Sequence, residues 1–320
     1  MKRWIEPAFG GAAAVAIGFA VLLTPQSARA WGPEAHRVIA LIADQHLQKT
    51  DAAVRGKVTA LLATDKGDKL VRNTISDEAT WADVLADKSQ EARTATAAWH
   101  STRLNAGSPD LATACFGHKP LPSGYPAAHG PQDNCSVDKI EQFEAELKDP
   151  STSSFERLAA LQFLLNLVAD LNDPLHAIDH GDRGGDCVAV QIGTKPPVRL
   201  ATLWNEQLVH DVAGGNSGAA AARIGGAIPA ADVSKWEEGN PETWARDTHD
   251  IAKSVTYSFM TEKPAGTASF PAPKGQPEVC ASIPLYKVGP DYETKALAAV
   301  RTQIAKAGIR LARVLRDSLK

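Results

Sequence analysis

The stretch from Leu161 to His176 reads LQFLLNLVADLNDPLH. Phe163, Leu164, Leu165, Leu167 and Val168 make it apolar on nearly every side, the pattern of a helix buried all round. Asn166 and Asp170 lie four residues apart inside that run, and so share one helix face. Burying a carboxylate costs several kcal/mol unless it is paired or binds a metal. Asp170 therefore needs a strong partner elsewhere in the chain.

Working outward, Ser153 with Glu156 forms a capping box in front of this helix, and Asp173-Pro174 ends it. Apolar residues at helical spacing predict further helices over 34–48, 51–63, 76–86 and 136–147. Others are predicted near 203–211, over 241–261 and over 293–319. The third of these carries Trp81 and Asp83. Residues 107–131, rich in Gly and Pro, read as a long loop, and 264–283 as another. The Gly-rich turn Asp182 to Asp186 precedes a short strand-like run, Val188 to Ile192. The expected class is all-α, a single-domain helical bundle with long loops.

The first thirty residues read as an export signal. Lys2 and Arg3 precede an apolar, Ala-rich run from about Gly11 to Leu23, and Ala28-Arg29-Ala30 offers a small-x-small cleavage site. The apolar run is short for a transmembrane span, so no membrane attachment is expected. Cleavage after Ala30 would leave a periplasmic or secreted domain, 31–320, beginning at Trp31. It would carry 31 basic against 36 acidic residues, a net charge of −5. That balance lacks the basic footprint of a duplex-binding protein, so any nucleic acid would be held locally. Cys115, Cys135, Cys187 and Cys280 suggest two disulfides in an oxidising compartment, with three possible pairings. None lies in a CxxC pair, which argues against a cysteine zinc site.

The groups able to hold a borderline metal are spread along the chain. Trp31 would supply a free amine and a carbonyl. His36 sits at a helix start, Asp83 in TWAD and His100 in AWH, while Asp170 and His176 flank the end of the central helix. Alone, each has an ordinary reading as a cap, an ion pair or a core histidine. Together they are the nitrogen and oxygen donors that suit zinc.

With these residues the chain resembles the S1/P1 nucleases. The resemblance covers Trp31-Gly32-Pro33-Glu34-Ala35-His36, Trp81-Ala82-Asp83, Trp99-His100 and Asn134-Cys135-Ser136-Val137. It continues through Phe163 to His176, Asp182-Arg183-Gly184-Gly185, Leu203-Trp204 and the closing stretch Ala307 to Ala312. It implies an exported, all-helical fold, also similar to bacterial zinc phospholipase C, with a three-zinc site. By position, Trp31, His36 and Asp170 would hold one zinc. Asp170 would bridge to a second zinc held with Asp83, His100 and residue 166. His176 would begin a third site with residues 201 and 205. The implied chemistry is hydrolysis of single-stranded DNA or RNA and of 3′-nucleotides, leaving 5′-phosphate products from nucleic acid, with Asp83 as the catalytic carboxylate orienting hydroxide. The implied form is a monomer.

Three ligand positions depart from that pattern. Asn166 stands where the family has histidine, Ala201 where it has histidine, and Asn205 where it has aspartate. A neutral amide is a poor zinc ligand and a methyl group is none. Ala86 and Ser101 also replace an arginine and an aromatic that the family often carries beside the substrate. The expectation is up to two zincs, a third absent or loose, and activity strongly impaired or absent. One alternative is a working zinc enzyme using two metals or substitute ligands from Asp179, His180, Asp182 and Asp186. Another is a non-catalytic metal- or ligand-binding protein.

Overall fold

The computed structural model describes residues 31–66, 70–117, 121–122, 124–271 and 280–320. The export signal expected over 1–30 lies outside them.

The central helix, Ser154–Leu171, organises the bundle, and every residue from Leu158 to Leu171 is buried. Its capping box forms as expected: Ser153 Oγ accepts the Glu156 N–H, and Glu156 reaches back to the Ser153 N–H. Around it pack the N-terminal helix Pro33–Thr50, the short helix Trp81–Lys88, the helix Ser136–Lys148 and the C-terminal helix Pro290–Leu319. The all-α class is borne out.

Aromatic rings fix the central helix against the segments that matter for the site. Phe163 stacks on Phe143 with centroids 4.8 Å apart. It takes the edges of Trp81 at 5.4 Å and Trp99 at 5.3 Å. Such pairs add about 0.5–1.5 kcal/mol each beyond burial. Trp81 lies two residues before Asp83 and Trp99 one before His100, so this cluster brings both side chains toward Asp170.

Three helices differ from expectation. The helix expected over 76–86 is broken into Ile75–Glu78 and Trp81–Lys88, because the Thr80 hydroxyl and N–H both turn back to the Asp77 carbonyl. The helix near 203–211 extends over residues 200–213 and contains a π-turn at Leu203–Gln207. The one expected over 241–261 is regular only for Pro241–Ile251, then widens into a second π-turn, Ala252–Thr256. A π-turn leaves carbonyls without helical partners. Here Gly32 N–H donates to Asn205 O at 2.9 Å, and Tyr292 O–H donates to Thr256 O at 2.9 Å. Trp204 Nε1 donates to the same Tyr292 oxygen at 2.8 Å, so one tyrosine joins both turns.

A small sheet lies beside the helices, in the order Val198–Arg199, Ala189–Ile192, Pro284–Val288, Gly266–Thr267. Its central pair is parallel, with Ala189 opposite Leu285 and Ile192 opposite Val288; the outer pairs are antiparallel. Residues 266–267 thus form strand inside a segment read as loop. Of the three possible pairings the disulfides are Cys115–Cys135 and Cys187–Cys280. No helix among the described residues is long and apolar enough to cross a membrane.

Candidate metal centre

Asp170 has two partners. Its Oδ2 accepts His100 Nδ1–H at 2.7 Å, and its Oδ1 lies 3.3 Å from His36 Nε2. Asp170 and His36 are fully buried, and His100 nearly so. Burial alone would raise the Asp170 carboxyl, yet the charges of His36 and His100 and their hydrogen bonds hold it well below the usual carboxylate range. Burial would lower the His36 ring, but Asp170 outweighs it and raises the ring to about 8. His100 is likewise raised against its burial by the Asp170 hydrogen bond.

The His36–Asp170 contact is close but misaligned: His36 Nδ1, His36 Nε2 and Asp170 Oδ1 are buried without a well-formed hydrogen bond. A separation of 3.3 Å between a nitrogen and an oxygen matches two ligands around a tetrahedral ion with bonds of about 2.0–2.1 Å. These two donors therefore fit a zinc, with Asp83 Oδ2 a further 3.7 Å from His36 Nε2.

Asn166 turns its amide nitrogen toward two oxygens. Its Nδ2 donates to Asp83 Oδ2 at 2.9 Å and to Ala79 O at 3.1 Å. Ala79 O is within reach because the helix breaks there. The amide oxygen of Asn166 is buried with no partner. Asp83, about a third exposed, thus meets an N–H donor from the position where a lone pair was expected.

His176 is fully prepared as a donor but isolated. Its Nδ1–H donates to His100 O at 2.6 Å, which leaves the lone pair on Nε2, and Nε2 is buried without a partner. Burial lowers its pKa to about 4. The two-residue parallel bridge of Leu104–Asn105 with Ile178–Asp179 holds the segments after His100 and His176 together. Ala201 is buried against the Gly-rich loop: its N–H donates to Gly185 O at 3.1 Å. Gly185 has φ +88°, and a Cβ there would lie 2.9 Å from Ala201 N. That approach seats the loop on the helix start, yet Ala201 offers no ligand atom. Of His176 and Ala201, only His176 carries a side-chain donor atom.

The loop candidates are engaged in part. Asp179 Oδ1 accepts Gly181 N–H at 2.7 Å, the His180 ring lies 4.2 Å from Tyr257, and Asp182 Oδ2 accepts Tyr257 O–H at 2.8 Å. Burial pushes the Asp186 carboxyl up. Among the described residues, the His, Cys, Asp or Glu side chains that converge three together within 4.8 Å are Cys115, Cys135 and Asp138. Both sulfurs there belong to a disulfide, so this is no metal site.

Two residues near the site escaped sequence reasoning. Asp173 appeared only as a helix stop, but it is a fully buried carboxylate beside Trp31 and His36. Arg310 donates to Asn172 Oδ1 and to Asp247 Oδ2, each at 2.6 Å, tying the C-terminal helix to the end of the central helix.

Comparison with known proteins identifies the family. Nuclease S1 of Aspergillus oryzae is 25% identical over 178 residues, which cover 56% of this chain and 60% of the relative. The match thus spans about three-fifths of the relative's length. The family model described as S1/P1 Nuclease matches residues 31–320, the whole span from Trp31 to the last residue, and the chain therefore belongs to the S1/P1 nuclease family.

Proposed function

We propose that this chain is an exported nuclease-type protein, processed after Ala30, that keeps a reduced zinc site and has little or no phosphodiesterase activity. Trp31, through its amine and carbonyl, His36 and Asp170 would hold one zinc. Asp170, Asp83 and His100 would hold a second more weakly. Zinc in such a place lowers the pKa of a bound water and polarises a phosphodiester.

The chain's own groups would contribute as follows. Asp170 offers one oxygen to His36 and the other to His100, so a single carboxylate can link two ligand sets. Asp83, partly open to solvent, would orient the hydroxide formed from a zinc-bound water. His176 presents a neutral lone pair with no neighbouring ligand at 201. The leaving oxygen and the phosphate would therefore lack a main electrostatic partner, an effect often worth several kcal/mol of barrier.

The observation that carries the reading is the Asn166 amide, which spends its N–H groups on Asp83 and Ala79 O instead of adding a fourth ligand. Single-stranded DNA, RNA and 3′-nucleotides would be the substrates of any residual activity, and the protein would act as a monomer. Two disulfides suit an oxidising compartment.

A second reading is a working zinc enzyme with substitute ligands. The buried atoms His180 Nε2 and Asp182 Oδ1, both without hydrogen-bond partners, favour it. Native mass spectrometry of the zinc-loaded mature protein, with single-stranded DNA and 3′-AMP assays, separates the two. Two zincs or fewer and negligible turnover are expected. Three zincs with robust turnover would establish the second reading.

A further inference from the structure

Trp31 Nε1 and Asp173 Oδ2 are buried polar atoms that the zinc reading does not use, and neither makes a hydrogen bond. Asp173 is fully buried and Trp31 is 3% exposed. The other Asp173 oxygen, Oδ1, is committed: it caps the Pro174–Ala177 turn by accepting Leu175 N–H at 2.9 Å. Oδ2 is left buried without a hydrogen-bond partner. The Trp31 indole and the Asp173 carboxyl are near enough to interact but short of a well-formed hydrogen bond. Their chemistry is complementary, since an indole only donates and a carboxylate only accepts. A buried carboxylate oxygen and a buried N–H left apart would each stay desolvated with nothing to compensate.

We propose that Asp173 is a positioning residue for the N-terminal zinc ligand. Its Oδ2 accepts the Trp31 indole N–H in the processed protein, and this bond aims the amine and carbonyl of residue 31 at His36 and Asp170. The assignment rests on the reading that Trp31 and His36 hold zinc. Partners that orient metal ligands in this way typically govern ten- to a hundred-fold of metal affinity.

The test is a double-mutant cycle on the mature protein, its first residue verified by intact mass and its zinc affinity read by chelator competition. Trp31→Phe keeps the backbone amine and carbonyl but removes the indole N–H. Asp173→Asn keeps the cap on Leu175 but turns an N–H toward the indole. Asp173→Asn should lose about ten-fold or more in zinc affinity when Trp31 is present, and little further when residue 31 is phenylalanine. An equal loss in both backgrounds, or none in either, overturns the proposal. The Trp31 indole proton, assigned by its loss in Trp31→Phe, should resonate downfield of a free indole, and a free-indole position overturns the proposal without relying on Asp173→Asn. Wild-type protein that takes up no zinc overturns the zinc reading, and this assignment with it.

Discussion

Asn166 and Asp83 are joined by a hydrogen bond of 2.9 Å from amide nitrogen to carboxylate oxygen, and the same NH₂ reaches Ala79 O at 3.1 Å. Flipping the amide would set its oxygen against two acceptors, so the orientation follows from the chemistry of the neighbours. Asn166 thus holds Asp83 by a proton donor, where the resemblance implied that the two positions would share a zinc.

Restoring ligands should therefore proceed in steps. Asn166→His exchanges the donor on Asp83 for a lone pair, and at most one further tightly bound zinc is expected from it. The third zinc should appear only when Ala201→His and Asn205→Asp are added, because His176 supplies a single ligand there. Zinc titration followed by native mass spectrometry reads both steps, and nuclease turnover should rise with the third. A triple variant that holds no more zinc than its parent would show that positions 166, 201 and 205 do not face the metals.

The metal-free protein should show two histidines moved in opposite directions. His36, with a ring pKa of about 8 set by Asp170 against burial, is raised above its unfolded value near 6.5. It contributes about 2 kcal/mol that is fully present below pH 6.5 and is lost as pH rises through about 8. His176, lowered to about 4 by burial, contributes in the other sense: its share is present above pH 6.5 and is lost as pH falls toward 4. Urea denaturation of zinc-stripped wild type and His36→Gln should show a larger deficit for the variant at pH 6 than at pH 9. With zinc bound the sign for His36 reverses, since ligation needs the neutral ring and strengthens with rising pH.

The central helix was legible because its signal is local: an unbroken apolar run, a capping box and an Asp-Pro stop within about twenty residues. Asp170 stood out for the same reason, as a charge where no charge belongs. The elements that escaped depend on distant partners. The break at Ala79–Thr80 is marked only by a threonine that bonds back to Asp77. Pro284–Val288 becomes strand through pairing with Ala189–Ile192, almost a hundred residues earlier. The helices Gln90–Thr96, Ser217–Gly226 and Ala230–Trp236 have short or Ala- and Gly-rich sequences with weak apolar stripes, so periodicity does not mark them. Asp173 went unnoticed because Asp before Pro is ordinary capping, and only burial beside Trp31 sets it apart.

Asp182 separates the two functional readings. One of its oxygens accepts Tyr257 O–H at 2.8 Å, while the other is buried and unpartnered. Asp182→Asn should destabilise the fold by about 1–3 kcal/mol through this buried pair and leave the zinc count unchanged. Thermal melts and native mass spectrometry on the same sample check both halves. Loss of one zinc, with the fold intact, would identify Asp182 as a substitute ligand.

The approach of the N-terminal and C-terminal helices sets the frame that carries His36. A Cβ at Gly308 would collide with the Ile42 side chain, 2.7 Å from its Cβ, and lie 3.3 Å from Ile39 O. Gly308→Ala should therefore push the two helices apart and cost about 1–3 kcal/mol as overpacking, despite the better helix propensity of alanine. Ile42 lies six residues, about 9 Å, along the helix from His36, so the same displacement should move His36 away from Asp170 and weaken zinc binding. Gly225 provides the control at the same isoleucine, because a Cβ there would meet Ile42 at 3.5 Å, an ordinary contact. Gly225→Ala should be neutral or stabilising by up to about 1 kcal/mol and leave zinc affinity as it was. Equal effects of the two alanines on melting and zinc uptake would mean that the helix crossing is not what positions His36.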